Sequence, residues 1–116
     1  MITFRALLIK FLMTFVFGII AFSLFGGNTW SWIFLVALVA TIANYVIGDL
    51  AVLSRYGNIV ASIGDGITGA LIAYIFSLLV REFSVGFFSL FVFFILIAAG
   101  EYFFHGYLLR EKEVAP

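Results

Sequence analysis

Five ionisable residues interrupt the apolar stretches of this sequence, and their types could do chemistry. Asp49 and Asp65 each follow an Ile-Gly pair, whereas Lys10, Glu101 and His105 stand singly among apolar neighbours. Carboxylates and imidazoles bind cations and relay protons, and ionisable residues within membrane segments are functional candidates. The same residues can also form buried ion pairs that fix how helices pack. The chemistry to consider is therefore ion or proton handling, with structural ion pairing as the alternative.

A metal site is a further alternative that these residues leave open. Glu101 and His105 are four residues apart and share one helix face. Together with the two Asp they would suit a hard or borderline divalent ion. However, Glu-x-x-x-His lacks the second His of a zinc-protease motif, and the chain has no Cys. We therefore expect no metal and no cofactor, and we interpret His105 as an interfacial hydrogen-bonding residue.

The composition indicates an integral membrane protein. Of the 116 residues, 66% are hydrophobic and only 10% are charged, whereas soluble domains are about a quarter charged. The formal net charge is zero and no basic cluster is present, so we expect no nucleic-acid partner. No nucleophile–base pair or phosphate-binding loop is recognisable, and we expect no enzymatic activity. Membrane lipids are the expected partners.

Four apolar segments reach the roughly 20 residues that a membrane-spanning helix needs. They predict helices at about 4–25, 30–53, 59–80 and 85–109, followed by a charged tail at 110–116. The intervening turns are short, so consecutive helices must be antiparallel neighbours. The fold class is therefore an all-α, up-down four-helix membrane bundle in a single domain. Asn28 or Thr29 is expected to cap the second helix, and Asn58 to cap the third after a turn at 54–58.

The distribution of basic residues predicts the orientation. An even number of spans puts both termini and the middle turn on one side of the membrane. That side carries five of the six basic residues, which are Arg5, Lys10, Arg55, Arg110 and Lys112. Arg81 is on the other side, so the positive-inside rule predicts that both termini are cytoplasmic.

The ionisable residues are predicted to form one buried layer. At about 1.5 Å per residue, Lys10, Asp49, Asp65 and Glu101 lie roughly 7–12 Å from the cytoplasmic helix ends. An unpaired Asp at such depth costs about 2.5–3.5 kcal/mol, so these acids should face the bundle interior or an oligomer interface. The polar residues expected to support them are Asn44, Tyr45, Arg55, Asn58 and His105.

The positions of small and aromatic residues lead to further predictions about helix packing. Asp65 shares a helix face with small residues, which favours close helix packing. Gly48 and Gly64 are both expected to allow close approach, and Asp49 lies at the edge of a small-residue stripe. The sixteen Phe are expected to face lipid.

The middle of the chain contains Tyr45-x-x-Gly48-Asp49-Leu50, followed by Leu53, Gly57-Asn58, Ala61 and Asp65. This pattern resembles the YndM-like family of small four-helix membrane proteins from Bacillus-type bacteria. The opening Ala6-Leu7-Leu8-Ile9-Lys10-Phe11 is also similar, whereas Ser54 departs from the pattern. The resemblance implies a bacterial cell membrane and a domain of unknown function, without an established activity.

Two functions from different classes are consistent with these features. In the first, the protein is a small ion- or proton-coupled transport or permeation protein. It would form a homo-oligomer, because one four-helix bundle encloses too little volume for a water-filled path. In the second, the protein is a non-catalytic scaffold or regulatory subunit, related to stress or sporulation, whose buried charges are structural.

Overall fold

The computed structural model describes residues 4–110, without the side chains of residues 54 and 108–110. Within this range, four helices are long and apolar enough to cross a membrane. These four spans are Phe4–Leu24, Trp30–Val52, Asn58–Leu79 and Phe87–Tyr107. The last helix continues to Arg110, and the rest of the predicted tail lies outside the described residues. The all-α class with four apolar helices is confirmed.

The first two spans change helix type along their length. The first is α-helical over Phe4–Gly18 and π-helical over Ile19–Leu24. The second is α-helical over Trp30–Ala43, π-helical over Asn44–Val52, and α-helical again over Leu53–Tyr56. A π-helix closes i→i+5 hydrogen bonds and therefore turns less per residue than an α-helix. This slower rotation changes which side chains of the second span face the interior.

The turn between the first two spans is held by the side chain of Asn28. Its Nδ2 donates to the carbonyl oxygens of Phe22 and Ser84, at 3.0 and 2.7 Å, and its Oδ1 accepts from the Ser84 N–H at 2.9 Å. Asn28 therefore joins two turns on the same side of the bundle. Thr29 occupies the cap position but makes no side-chain cap hydrogen bond. The predicted cap position is therefore confirmed for Thr29, and the side-chain hydrogen bond expected of a cap is absent.

The middle turn is shorter than predicted. Helical structure continues to Tyr56, and the next helix begins at Asn58. Gly57 alone separates them, with φ of 89°, a backbone conformation that favours glycine. The predicted turn at 54–58 is therefore wrong, and Asn58 is the first helical residue rather than the cap. The third connection runs from residue 80 to 86, between Leu79 and Phe87.

Aromatic side chains form much of the bundle core, because three Phe from three parts of the chain pack together. The rings of Phe22 and Phe93 lie 4.7 Å apart, and those of Phe22 and Phe83 lie 5.5 Å apart. All three are buried, which corrects the expectation that every Phe faces lipid. A second buried group includes Ala6, whose neighbours are Leu53, Ala61 and Phe104. Along each span, the residue of the predicted charged layer (Lys10, Asp49, Asp65 or Glu101) stands between a residue of the first apolar group and a residue of the second.

The third and fourth spans approach each other closely at Gly66. A Cβ added at Gly66 would lie 2.8 Å from the carbonyl oxygen of Phe94 and 2.7 Å from its ring. The carbonyl belongs to the backbone, so the two helices would have to separate. We expect Gly66→Ala to lower the free energy of unfolding by about 1–2 kcal/mol, as overpacking does. Thermal unfolding in detergent measures this change.

Gly64→Ala is the matched control for that variant. A Cβ at Gly64 would meet nothing within 4 Å, although it lies on the same helix two residues earlier. An alanine there should leave the midpoint of thermal unfolding unchanged or raise it slightly, since Ala favours helices. Equal midpoints for the two variants would contradict the close approach at Gly66.

Candidate functional site

Five ionisable side chains meet inside the bundle and form what we call the ionic cluster. Lys10 comes from the first span, Asp49 from the second, Asp65 from the third, and Glu101 and His105 from the fourth. Asp65 is 2% exposed and the other four are fully buried. The structure thus brings together the four residues of the predicted layer and adds His105 to them.

Lys10 occupies one side of the cluster and contacts two carboxylates. Its Nζ lies 2.7 Å from Glu101 Oε1 and 3.1 Å from Asp49 Oδ2. The Phe104 ring lies 5.2 Å from the same nitrogen, within cation–π range. Thr14 donates a hydrogen bond to the Lys10 carbonyl oxygen one turn away. The lysine is therefore paired in the interior and does not reach to a membrane surface.

His105 occupies the other side and faces all three acids. Its Nε2 lies 3.0 Å from Asp49 Oδ1, 3.0 Å from Asp65 Oδ2 and 3.5 Å from Glu101 Oε1. The interpretation of His105 as an interfacial residue is wrong. Its depth follows from helix geometry, because a residue one turn from Glu101 on the same face shares that residue's environment.

Asn58 orients the second ring nitrogen of His105. Asn58 Nδ2 donates to the Tyr102 carbonyl oxygen at 2.8 Å, so Asn58 Oδ1 must be the atom 2.8 Å from His105 Nδ1. Ser62 Oγ donates to the same Asn58 oxygen at 3.0 Å and lies 3.2 Å from Nδ1. Because Asn58 Oδ1 can only accept, Nδ1 carries a proton and donates it there. The Nε2 atom of a neutral His105 is then an acceptor.

Ser62 was not among the predicted site residues. It lies one helical turn after Asn58 and three residues before Asp65, and it is buried. Residues three or four apart share a helix face, so the spacing of Ser62 from Asn58 and from Asp65 could have identified it as a site residue.

The π-helical segment of the second span positions Asp49. Asn44, Gly48 and Asp49 are all buried within it, although adjacent positions of an α-helix point about 100° apart. Asn44 Nδ2 also donates to the Asp65 carbonyl oxygen, at 3.3 Å. The side chain of Asp65 lies where a Cβ of Gly48 would be, whereas Gly64 faces open space. Close approach therefore holds for Gly48 and is wrong for Gly64.

Two predicted supporting residues lie outside the cluster. Arg55 is exposed and makes no ion pair with Asp49 or Asp65 in the part of the chain that the structure describes. Because the helix continues through Arg55, the Arg55 side chain points away from the bundle. Tyr45 is half-buried and packs on the apolar group around Leu53.

The described side chains leave the ionic cluster with more acid than base. The cluster contains three carboxylates but only two basic groups, the Lys10 ammonium and the His105 imidazole. Glu101 Oε2 and Asn44 Oδ1 are buried and have no hydrogen-bond partner among the described residues. One donor atom from each acid and from His105 lies within 4.8 Å of the others. The arrangement has the chemistry of a cation-binding site.

A family model described as "Protein of unknown function (DUF2512)" matches residues 1–114. The chain belongs to this family. The matched region contains all four spans and every residue of the ionic cluster. Neither the curated proteins nor the solved structures contain a match to the chain. Membership in the DUF2512 family thus agrees with a multi-pass membrane architecture and assigns no activity.

Proposed function

We propose that this DUF2512 protein is a small, non-enzymatic, multi-pass membrane protein with ion- or proton-coupled transport or permeation activity. One observation carries the proposal: three carboxylates from three different spans meet a single lysine and a single histidine among the described residues. Ions of this kind cost several kcal/mol each to bury without compensation. A bound cation would offset that cost, and each span would respond to its arrival or departure.

Phe104 connects the ionic cluster with an open surface cavity. This cavity, of about 360 Å³, lies between the first and fourth spans, and Met13, Gly100 and Phe104 are among its lining residues. The Phe104 ring also lies 5.2 Å from Lys10 Nζ, and we propose that access to the cluster passes this ring. The cavity lining is apolar, so a hydrated path needs a second copy of the chain or a movement of this ring. We therefore propose a homo-oligomer in contact with lipids and with no nucleic-acid partner.

Sequence features support a proposal for the location and orientation of the protein. We propose that it belongs to YndM-like proteins of the bacterial cell membrane, with both termini in the cytoplasm. The excess of Lys and Arg on the side of the termini supports that orientation.

Flux through reconstituted vesicles tests transport. Proteoliposomes would carry a pH-sensitive dye or a dye that responds to Mn²⁺, and an inward gradient of the corresponding ion would be applied. We expect Asp65→Asn to abolish flux, because it removes one of the two acids held by His105 Nε2 at 3.0 Å. Glu82→Gln is the matched control, since Glu82 is an exposed carboxylate in a turn. Equal flux in wild type and Asp65→Asn would refute the proposal.

A scaffold or regulatory subunit, related to stress or sporulation, is the second candidate. The observation that favours it is the pairing itself: Lys10 and His105 lie 2.7–3.5 Å from acids of the second, third and fourth spans. Such a network would fix helix register without handling any ion. This role predicts that Asp49→Asn and Asp65→Asn lower the unfolding midpoint and the yield. If both variants fold and assemble normally, the structural account fails.

A further inference from the structure

We infer that the ionic cluster binds one first-row divalent metal ion, with His105 Nε2 and carboxylate oxygens of Asp49, Asp65 and Glu101 as ligands. The inference names the cation class for the site and rests on the proposed function for its role in transport. The binding itself is argued from three observations that concern the histidine, the charge and the donor set.

The orientation of His105 is the first observation. Its Nδ1–H is committed to Asn58 Oδ1 at 2.8 Å, and the Asn58 amide is itself held by the Tyr102 carbonyl. Histidines that bind metals commonly donate the second ring N–H to such an acceptor, which fixes the ring and its tautomer. In the neutral ring, Nε2 then presents a lone pair toward three carboxylate oxygens, at 3.0, 3.0 and 3.5 Å. Four acceptors that converge on one point need a proton or a metal cation between them.

The charge of the cluster is the second observation. A dication and the Lys10 ammonium together carry three positive charges, which equal the three carboxylates. A proton on His105 Nε2 would leave one negative charge uncompensated in a fully buried site. Since burial penalises net charge, a neutral site needs either the dication or a second proton on one of the carboxylates, and one dication supplies the whole charge in a single step. Lys10 lies 3.1 Å from Asp49 Oδ2, while Asp49 Oδ1 faces the histidine. Its Nζ also lies 2.7 Å from Glu101 Oε1, the oxygen nearest to His105 Nε2, so Lys10 and the ion would share that carboxylate.

The donor set is the third observation and selects the metal class. The four donor atoms lie within 4.8 Å of one another, and opposite ligands of one ion lie at most about 4.4 Å apart. A contraction of a few tenths of an ångström therefore suffices for an octahedral ion, whereas a tetrahedral ion needs a larger one. Glu101 Oε2 is buried without a partner in the described region and supplies a further oxygen. Imidazole with carboxylates and no thiolate favours Mn²⁺, Fe²⁺ or Zn²⁺ over copper(I), and the imidazole disfavours Mg²⁺ and Ca²⁺.

Metal retention tests this inference. The full chain would be purified in nanodiscs, treated with chelator, exchanged into Mn²⁺ or Zn²⁺ and passed through gel filtration. We expect about one ion per chain to remain, with Mg²⁺ or Ca²⁺ not retained. Pulsed EPR of the Mn²⁺ form should detect a coordinated imidazole nitrogen, a signal that needs no variant. Absence of stoichiometric Mn²⁺ and Zn²⁺, or of the nitrogen signal, would overturn the inference.

Three variants assign the retained ion to the cluster. His105→Gln should abolish the nitrogen signal and most of the retention. Asn58→Ala keeps every ligand but releases Nδ1, and it should weaken affinity about 10–100-fold, as loss of such a hydrogen bond does. Glu82→Gln is the exposed carboxylate control and should bind as wild type. Wild-type affinity in both His105→Gln and Asn58→Ala would contradict the assignment.

The flux and retention experiments separate the two proposals. Flux that depends on Asp65 without retained metal would mean that the site handles a proton or a monovalent ion, so this inference fails and the proposed function stands. Retained metal without flux would mean that the ion is structural, so the proposed function fails and this inference stands.

Discussion

Replacing Lys10 with Met is expected to lower the free energy of unfolding by about 3–5 kcal/mol, the cost of removing one partner of a buried ion pair. The Lys10 ammonium lies 2.7 Å from Glu101 Oε1 and 3.1 Å from Asp49 Oδ2, and all three side chains are fully buried. Methionine preserves most of the side-chain volume but leaves both carboxylates without this cation. Chemical or thermal unfolding in detergent with a chelator present measures the effect, since the chelator prevents a metal from substituting for the ammonium.

Arg5→Met is the matched control for this variant. Arg5 is an exposed basic residue on the same span, about one and a half turns earlier. Its replacement should change the unfolding free energy little, because the side chain is not buried with a partner charge. If Lys10→Met were as stable as Arg5→Met, the acids would have to be compensated without Lys10. The contacts of Lys10 would then not be part of what stabilises the bundle.

Replacing Gly48 with Ala is expected to have the second largest effect, a loss of about 2–3 kcal/mol. The Asp65 carboxylate occupies the space that an added Cβ would take. Asp65 cannot easily move, because His105 Nε2 lies 3.0 Å from its Oδ2 and Asn44 holds its backbone carbonyl. The substitution must therefore displace either the carboxylate or the helix, and overpacking of this kind is destabilising. Thermal unfolding together with the retained-metal measurement would report both consequences.

Gly64→Ala tests whether the effect belongs to the Ile-Gly-Asp sequence or to the position of its glycine. Both glycines precede an Asp of the cluster, yet a Cβ at Gly64 would meet nothing within 4 Å. We expect Gly64→Ala to keep the unfolding free energy and the metal content of the wild type. Gly48→Ala should lower both quantities. Similar losses in the two variants would mean that the glycines act through backbone freedom and not through contact with Asp65.

Depth along the helices was predictable for the charged residues. Counting residues from the apolar segment ends placed Lys10, Asp49, Asp65 and Glu101 at one level, because the rise per helical residue is nearly constant. The same counting underestimated the burial of His105, which depends on what surrounds the helix ends near Ala6 and Leu53. The packing of Ala6, Leu53, Ala61 and Phe104 provides that cover, and sequence spacing within one helix does not contain it.

Rotation about the helix axes was less predictable than depth. An α-helical reading left Asp49 at the edge of its stripe, whereas the π-helical segment Asn44–Val52 buries both Gly48 and Asp49. Arg55 was expected near the acids because a turn was predicted at 54–58, but the helix extends to Tyr56 and leaves Arg55 exposed. A change of hydrogen-bond register is a small local energy difference, and contacts with other helices can decide it.

The sequence by itself determined the four apolar helices, their short connections and the common depth of the charged residues, because the cost of placing polar groups in hydrocarbon constrains composition directly. Only the tertiary structure decided which atoms meet. It turned Asn58 from a predicted cap into the residue that orients His105, and it placed the Asp65 side chain against Gly48. Pairings within the ionic cluster join residues up to 91 positions apart, as Lys10 and Glu101 do. They therefore depend on how the helices rotate against one another and not on the pattern along any one of them.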